Sequence, residues 1–469
     1  MGDPIWQWSA VRTAAAIREG EISAEAVAEA HLERMRLANP AVNAVVVDMS
    51  EEALAAARAT DRARARGEPP DALAGVPVTI KENVDFEGRP NLNGVAANGG
   101  LVAPAHAPVV ANLLDAGATC IGLTNTPEFS MRAHTDNPLH GETKNPWDAS
   151  ITCGGSSGGA GAATALGIGC IGHGNDIGGS LRWPAHCNGL ATIRPTQGRV
   201  PAFNASAPSE RTMMAQMMST QGPMAREVAD VRLGLSVMAR RDARDPFWVP
   251  APLEGPELPK RAIIAKVPDE MEADPRVMEI VRGAADRLSD AGWAVEERAL
   301  PDVPGLFRLW ADVLINEMDV SAGAAMLSVG SEDFAEVWGA YKAFSRELDL
   351  RGFVAACAER ITRQRAWMAL LEERPVILTP CSLQPTWAPG ADLGGPETVR
   401  RLFADHLTFI SIFNLLGLPT AAAPAGLLDG APVGVQLTAA RFREDVALAA
   451  AEAVEDGVLC RALWAREGV

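Results

Sequence analysis

Positive charge is scarce in this 469-residue chain: 42 Lys and Arg stand against 59 Asp and Glu, a formal net charge of −17. No Lys/Arg run is dense enough to offset that balance, so a phosphate backbone would be repelled and direct nucleic-acid binding is not expected. No stretch of eighteen apolar residues occurs, although 48% of the chain is apolar, so no membrane partner is expected. The first residues carry acid at Asp3, no basic region and no sustained apolar core, which argues against a secretory signal. The seven cysteines contain no C-x-x-C, and Cys153, Cys170 and Cys187 lie among small or apolar residues; reduced thiols in a cytoplasmic protein are expected, with the sequon Asn204-Ala-Ser206 incidental. The histidines (His31, His106, His134, His140, His173, His186 and His406) form no H-E-x-x-H and no other metal spacing, so no metal is expected. There is no Gly-Lys dipeptide, which excludes a Walker-type phosphate loop.

What the chain does have is a concentration of glycine around serine. Residues 153–196 hold two clusters, Gly154-Gly155-Ser156-Ser157-Gly158-Gly159 and Asp176-Ile177-Gly178-Gly179-Ser180. Glycines this dense mean backbone brought close to something that a Cβ would obstruct. A flexible linker would lack the apolar run at 162–171, which reads as a buried helix leading into a strand. Gly167-Ile-Gly169-Cys-Ile-Gly172 fits G-x-G-x-x-G. A dinucleotide fingerprint, however, needs a preceding strand and a later acidic residue, and 187–194 has neither Asp nor Glu. Gly154 to Gly159 also fits the letters of a G-x-S-x-G nucleophile elbow, yet 145–152 reads as turn where the elbow needs a strand. The remaining reading is a nucleophile in a nest of amides: N–H groups of Ile177, Gly178, Gly179 and Ser180 converge on one point beside the Ser180 hydroxyl, forming an oxyanion hole. A serine needs a base.

Along the chain, residues 1–67 read as a packed helical layer. A buried strand in 75–84 ends at or near Lys81. Such a lysine either snorkels to solvent, pairs with Glu82, Asp85 or Glu87, or stays buried. Helix 109–116 and strand 119–123 follow, then long turn-rich segments of the kind that carry function. Strands are expected at 43–47, 261–266, 293–298, 375–379, 419–423 and 433–437. Helices are expected at 275–291, through most of 306–373 with breaks at Gly330 and Gly352, at 399–416, and at 444–455, where the last closes the chain. Met213, Met214, Met217 and Met218 are either core filler or a substrate wall. Strands alternating with helices imply an α/β protein, a large twisted mixed sheet covered by helices on both faces. No repeat or linker divides it, so 1–469 is one domain: a helical layer at 1–67, a catalytic core at 70–205, and the remaining sheet and pocket helices at 206–469.

The two serine clusters, with Pro184-Ala185 and Arg194-Pro-Thr196, resemble the amidase signature family, and Gly75-Val-Pro-Val-Thr-Ile-Lys81-Glu-Asn resembles its lysine-bearing strand. Lys81 stands 75 residues before Ser156 and Ser156 stands 24 before Ser180, the family's usual spacings. Thr124-Asn-Thr-Pro-Glu-Phe129, Asn145-Pro-Trp147, Gln221-Gly-Pro-Met-Ala-Arg226, Gly417-Leu-Pro-Thr and Gly430-Ala-Pro-Val-Gly-Val-Gln436 are similar to further landmarks, so the resemblance covers nearly the whole chain.

The resemblance implies the amidase signature fold, Ser180 as nucleophile, Ser156 held through a cis peptide, and Lys81 as the base working through Ser156. It further implies oxyanion donors at Ile177, Gly178, Gly179 and Ser180, and supporting roles for Ser157, Asp176 and Arg182. Met131, His134, Trp183 and parts of 305–345 are the candidate pocket. The expected reaction is hydrolysis of a small-molecule carboxamide through an acyl-enzyme, without a cofactor, by a monomer or homodimer. The alternative is an amidotransferase A-type subunit that releases ammonia from glutamine for a tRNA-dependent partner. The chain departs from the family pattern at Glu82 (usually Asp), Ala160 (Ser), Asn175 (Thr), Asn188 (Cys) and Thr192 (Gly), none of which removes a catalytic group.

Overall fold

The computed structural model describes residues 3–457 and 459–466. Its strands are β1 (Val45–Asp48), β2 (Pro77–Lys81), β3 (Thr119–Thr124), β4 (Ile171–Asp176), β5 (Ala191–Arg194), β6 (Thr220–Ala225), β7 (Arg261–Lys266), β8 (Ala294–Ala299), β9 (Val376–Pro380), β10 (Thr420–Leu428) and β11 (Ala431–Thr438). All join one sheet in the order β1-β3-β2-β4-β6-β5-β10-β11-β9-β7-β8. Two parallel sections, β3-β2-β4 and β9-β7-β8, flank an antiparallel centre. This is the α/β mixed sheet expected from the alternation of elements.

Both faces are covered, and the period of two in the strands shows how. In β7, Ala262 and Ile264 enter one core while Ile263 and Ala265 enter the opposite one; Val376 and Leu378 of β9 divide from Ile377 in the same way. The first face is closed by helices such as Pro275–Asp290, whose Val277, Val281, Ala284 and Leu288 recur at three and four residues and make one apolar stripe. Asp274 caps it by accepting the N–H of Arg276. On the other face lie Val303–Met318, Leu350–Glu373 and Thr408–Leu416, together with Gly158–Ala165.

Several boundaries differ from expectation. Gly352 sits in the first turn of Leu350–Glu373 and breaks nothing; the break falls earlier, where Asp349 caps that helix. Residues 399–416 are two helices, Gly395–His406 and Thr408–Leu416, which meet at Leu407. Glu444–Val454 does not close the chain, because Leu459–Trp464 follows it and packs Leu463 against the core. The local pattern does not announce β5 and β6: glycine and proline inside Thr220–Ala225 mask a strand held by partners on both sides. The G-x-G-x-x-G stretch is buried, with His31 Nδ1 3.0 Å from the Gly167 carbonyl.

Candidate active site

Lys81 is the last residue of β2, and Asn175 and Asp176 end β4 beside it. The two strands are parallel neighbours, so their carboxyl ends deliver these side chains to the same edge of the sheet. Every residue of β2 is buried, Lys81 included. Its three candidate carboxylate partners are engaged elsewhere or lie outside. Glu82 accepts from Gly94 N–H and faces His140 Nε2 at 3.0 Å. Asp85 accepts from Asn91 and Ser206, and Glu87 is exposed near His106. Lys81 Nζ is instead 2.7 Å from Ser156 Oγ and donates to Asn175 Oδ1 at 2.9 Å. Burial pushes its pKa well below the ordinary lysine range, although the charges of Asp176 and Glu82 pull the other way. With one N–H fixed on Asn175, a neutral Lys81 can turn its lone pair to the Ser156 hydroxyl.

Ser156 follows a cis peptide bond from Gly155. Ser157 is fully buried, with its hydroxyl 3.4 Å from the Asn175 carbonyl, and it caps no amide of the helix that begins at Gly158. Asn145–Thr152 is the turn the sequence suggested, closed by a single bridge between Lys144 and Thr152, with no strand leading into the serines.

The turn from Asp176 to Arg182 is built around one carboxylate. Asp176 accepts from the N–H of Gly179 (2.8 Å) and Leu181 (3.2 Å), from Arg182 Nε and Nη2 (both 3.0 Å), and from Asn414 (2.8 Å). Burial alone would raise its pKa; the Arg182 charge and hydrogen bonds, with Arg194 and Asn414, outweigh it and hold the carboxyl at about 2. Arg182 continues inward to the Ile410 carbonyl and to Gln436 and Asn414. This pair braces the turn and lies behind it, away from the cavities described next.

Of the four expected oxyanion donors, Gly179 is the one whose N–H is already committed to a side chain, through the bond to Asp176. That bond ties Gly179 to the shape of the turn, whereas among the described residues no side chain accepts from the N–H groups of Ile177, Gly178 and Ser180. Gly179 has φ +122°, and a Cβ there would overlap Ile410 Cγ2. Gly179→Val should accordingly displace the nest and lower kcat by about 10²–10³, the usual effect of losing one such donor. The measurement is turnover per folded molecule, with folding followed by circular dichroism; unchanged turnover per folded molecule would reject the nest.

Ser180, half-buried, stands where two cavities meet. One is a narrow slot of about 50 Å³ walled by Trp183, Trp310, Leu314, Ile315, Tyr341, Phe403 and Leu407. The other is a polar chamber of about 320 Å³ that includes Ser156, Asn83, Asn175, Gln221, Glu210 and Arg211. Ser130, Met131, Ile177 and Ser180 belong to both. Met131 and Trp183 thus wall the site, as does the 305–345 segment. His134 does not: it is buried against Thr152 (2.8 Å) and Glu142 (3.5 Å) and faces neither cavity. Met214 and Met218 are core, and Met213 is exposed, so the methionine cluster is no substrate wall. Sequence reasoning misses Asn83, whose Nδ2 bonds Ser130 Oγ (2.9 Å) and whose Oδ1 accepts from Asn175 (2.8 Å). Its place two residues after Lys81, at the exit of β2, is the signal that could have found it.

A family model described as Amidase matches residues 26–448. An indoleacetamide hydrolase of Bradyrhizobium diazoefficiens is 58% identical over 465 residues, covering 98% of this chain and 89% of that protein. The A-type subunit of glutamyl-tRNA(Gln) amidotransferase from Moorella thermoacetica is more distant, 32% identical over 469 residues with 93% of each chain covered. A solved 6-aminohexanoate cyclic dimer hydrolase superposes with a TM-score of 0.81 at 26% identity, covering 97% of this chain and 98% of that one. A bacterial aryl acylamidase of the amidase signature family shares the fold with a TM-score of 0.85 at 24% identity, over 99% of this chain and 100% of the other. The matched region contains the lysine strand, both serines and the braced turn, and the chain belongs to the amidase family, as a hydrolase of carboxamide C–N bonds.

Proposed function

We propose that the protein hydrolyses a small aryl-acetamide of the indole-3-acetamide kind to the carboxylate and ammonia, with Ser180 as nucleophile. The observation that carries this reading is the position of Ser180 between an aromatic slot, which suits a flat acyl group, and a polar chamber, which suits the departing amine and the incoming water. As it stands the slot is tighter than a bicyclic ring, so this reading requires its wall to open, and Met131, unbranched and shared by both cavities, is the side chain we assign to that adjustment. The relatives named as indoleacetamide hydrolases support the same acyl group.

In this reading Lys81 takes the Ser156 proton as Ser156 takes that of Ser180, and Ser180 Oγ forms a bond to the amide carbon. The resulting oxyanion meets the amides of Ile177, Gly178 and Ser180. The proton returns through Ser156 to the leaving nitrogen, the C–N bond breaks, and ammonia departs. Water then attacks the acyl-enzyme by the same relay and releases the acid. The enzyme works in the cytoplasm, alone or as a homodimer. A net charge of −17 supports the absence of direct contact with nucleic acid.

The isolated protein is expected to release ammonia from indole-3-acetamide and not to require a partner. Purified chain is incubated separately with glutamine and with a panel of aliphatic and aryl amides, and ammonia is followed. Silence on every amide, with glutaminase activity emerging only when a tRNA-dependent partner is added, would overturn the reading in favour of an amidotransferase component.

A further inference from the structure

The wall of the aromatic slot is almost free of unsatisfied polar groups. Trp183 Nε1 donates to the Ala133 carbonyl at 2.9 Å and Trp310 Nε1 to the Ile177 carbonyl at 3.1 Å. Arg132 is held in a bidentate pair with Asp392, both bonds 2.9 Å. Ser130 Oγ is shared among Asn83, Asn93 and Thr126. Among the described residues, two side-chain polar groups on this wall have no hydrogen-bond partner: the Ser180 hydroxyl and the Tyr341 hydroxyl. The first is accounted for by its proposed chemistry. The second stands on the wall of an otherwise apolar slot, and a phenol in such a place is left wanting until something fills it.

Resting on the aryl-acetamide reading, we infer that Tyr341 determines acyl specificity by accepting the ring N–H of an indole seated in the slot. Its ring is fixed for this task by packing against Phe403 (centroids 5.1 Å apart) and Trp338 (6.5 Å). Burial first, and then the negative charge of Asp392, push its phenol pKa up, so the oxygen is a neutral hydroxyl at any working pH. The carboxylate of Asp392 is spent on Arg132, and with the Ser180 hydroxyl reserved for the reaction, the Tyr341 hydroxyl is the side-chain acceptor that remains on this wall among the described residues. A site that hydrogen-bonds a ligand N–H discriminates against analogues of the same shape that lack it.

The test is a matched pair of amides, indole-3-acetamide and 1-naphthaleneacetamide, which share a bicyclic shape but differ in the ring N–H. Tyr341→Phe keeps the ring packing and removes only the hydroxyl. The variant is expected to raise KM for indole-3-acetamide about 3- to 10-fold with kcat nearly unchanged, since the bond is present in ground and transition states alike. Its KM for the naphthalene amide should hold or fall, because the variant no longer leaves a hydroxyl unpaired beside that ring, and retained turnover of this amide certifies the fold. Wild-type turnover of both amides, followed by an equal loss on both or no loss on either, overturns the role of Tyr341 and leaves the aryl-acetamide reading intact. Wild-type silence on both overturns that reading and the role of Tyr341 with it.

Discussion

Ser180→Ala should lower kcat for amide hydrolysis by on the order of 10⁴–10⁶-fold, the scale seen when a serine hydrolase loses its nucleophile, and leave folding untouched. The reason for the second half is structural. Ser180 is half-buried and its hydroxyl bonds to nothing among the described residues, so its removal orphans no buried group. The turn that presents it is held by Asp176, Arg182 and Asn414, none of which touches the Ser180 side chain. Turnover and circular dichroism are measured together, and wild-type protein is examined by mass spectrometry during hydrolysis of a slow aryl amide. An acyl adduct on Ser180 is the expected species. Retention of more than a few per cent activity in the variant would move the nucleophile elsewhere. Ser157 would be next in line, although full burial and its lean toward the Asn175 carbonyl argue against it.

The parts of this protein that are readable in the sequence are those fixed by short-range chemistry. The end of β2 at Lys81 follows from β-branched residues bounded by glycine and acid, and the segment 261–266 is placed to the residue for similar reasons. The Asp176–Arg182 pair is implied by the resemblance of this cluster to the amidase signature family, and the structure holds it at 3.0 Å. What escapes depends on tertiary partners. β6 carries Gly222 and Pro223 within it, and its strand character comes from β4 and β5 on either side, which no local pattern reports. The slot is assembled from helices far apart in the chain, Val303–Met318, Glu332–Phe344 and Gly395–His406, so the sequence leaves its composition open even though it points to part of 305–345. Sequence misplaces His134 because proximity to Met131 along the chain says nothing about direction: it turns back to Thr152 while Met131 enters the cavities. Asn175 stands out in the sequence as a departure from the family pattern, but its bond to Lys81 requires the register of β2 on β4.

Lys81→Ala should cost about 10²–10⁴-fold in kcat/KM, the usual contribution of a general base, and should abolish the acid limb of the pH profile. For wild type, kcat/KM rises with pH, because only neutral Lys81 can accept the Ser156 proton, and levels off at the pKa of the lysine in the free enzyme. Burial places that pKa well below the ordinary lysine range, against the opposing charges of Asp176 and Glu82. The other groups facing the lysine do not blur the limb. Asp176 is ionised above about 2, and His173, whose Nδ1 lies 3.4 Å from the Lys81 amide nitrogen, is pushed down to about 4 by burial and is neutral above it. A limb that survives unchanged in Lys81→Ala near pH 4 would transfer the role to His173. Stability supplies an independent check with a definite sign. Between the depressed folded pKa and the ordinary lysine range the unfolded chain binds more protons than the folded one, so this group's contribution to stability rises with pH across that window and is lost as pH falls through the folded pKa. Lys81→Met, which keeps the stem and removes the amine, should be free of that contribution. The Tm of wild type relative to Lys81→Met is therefore expected to stay level below the folded pKa and to climb with pH from the point at which wild-type kcat/KM levels off up to the ordinary lysine range, and parallel Tm profiles would show that folding does not depress the lysine pKa.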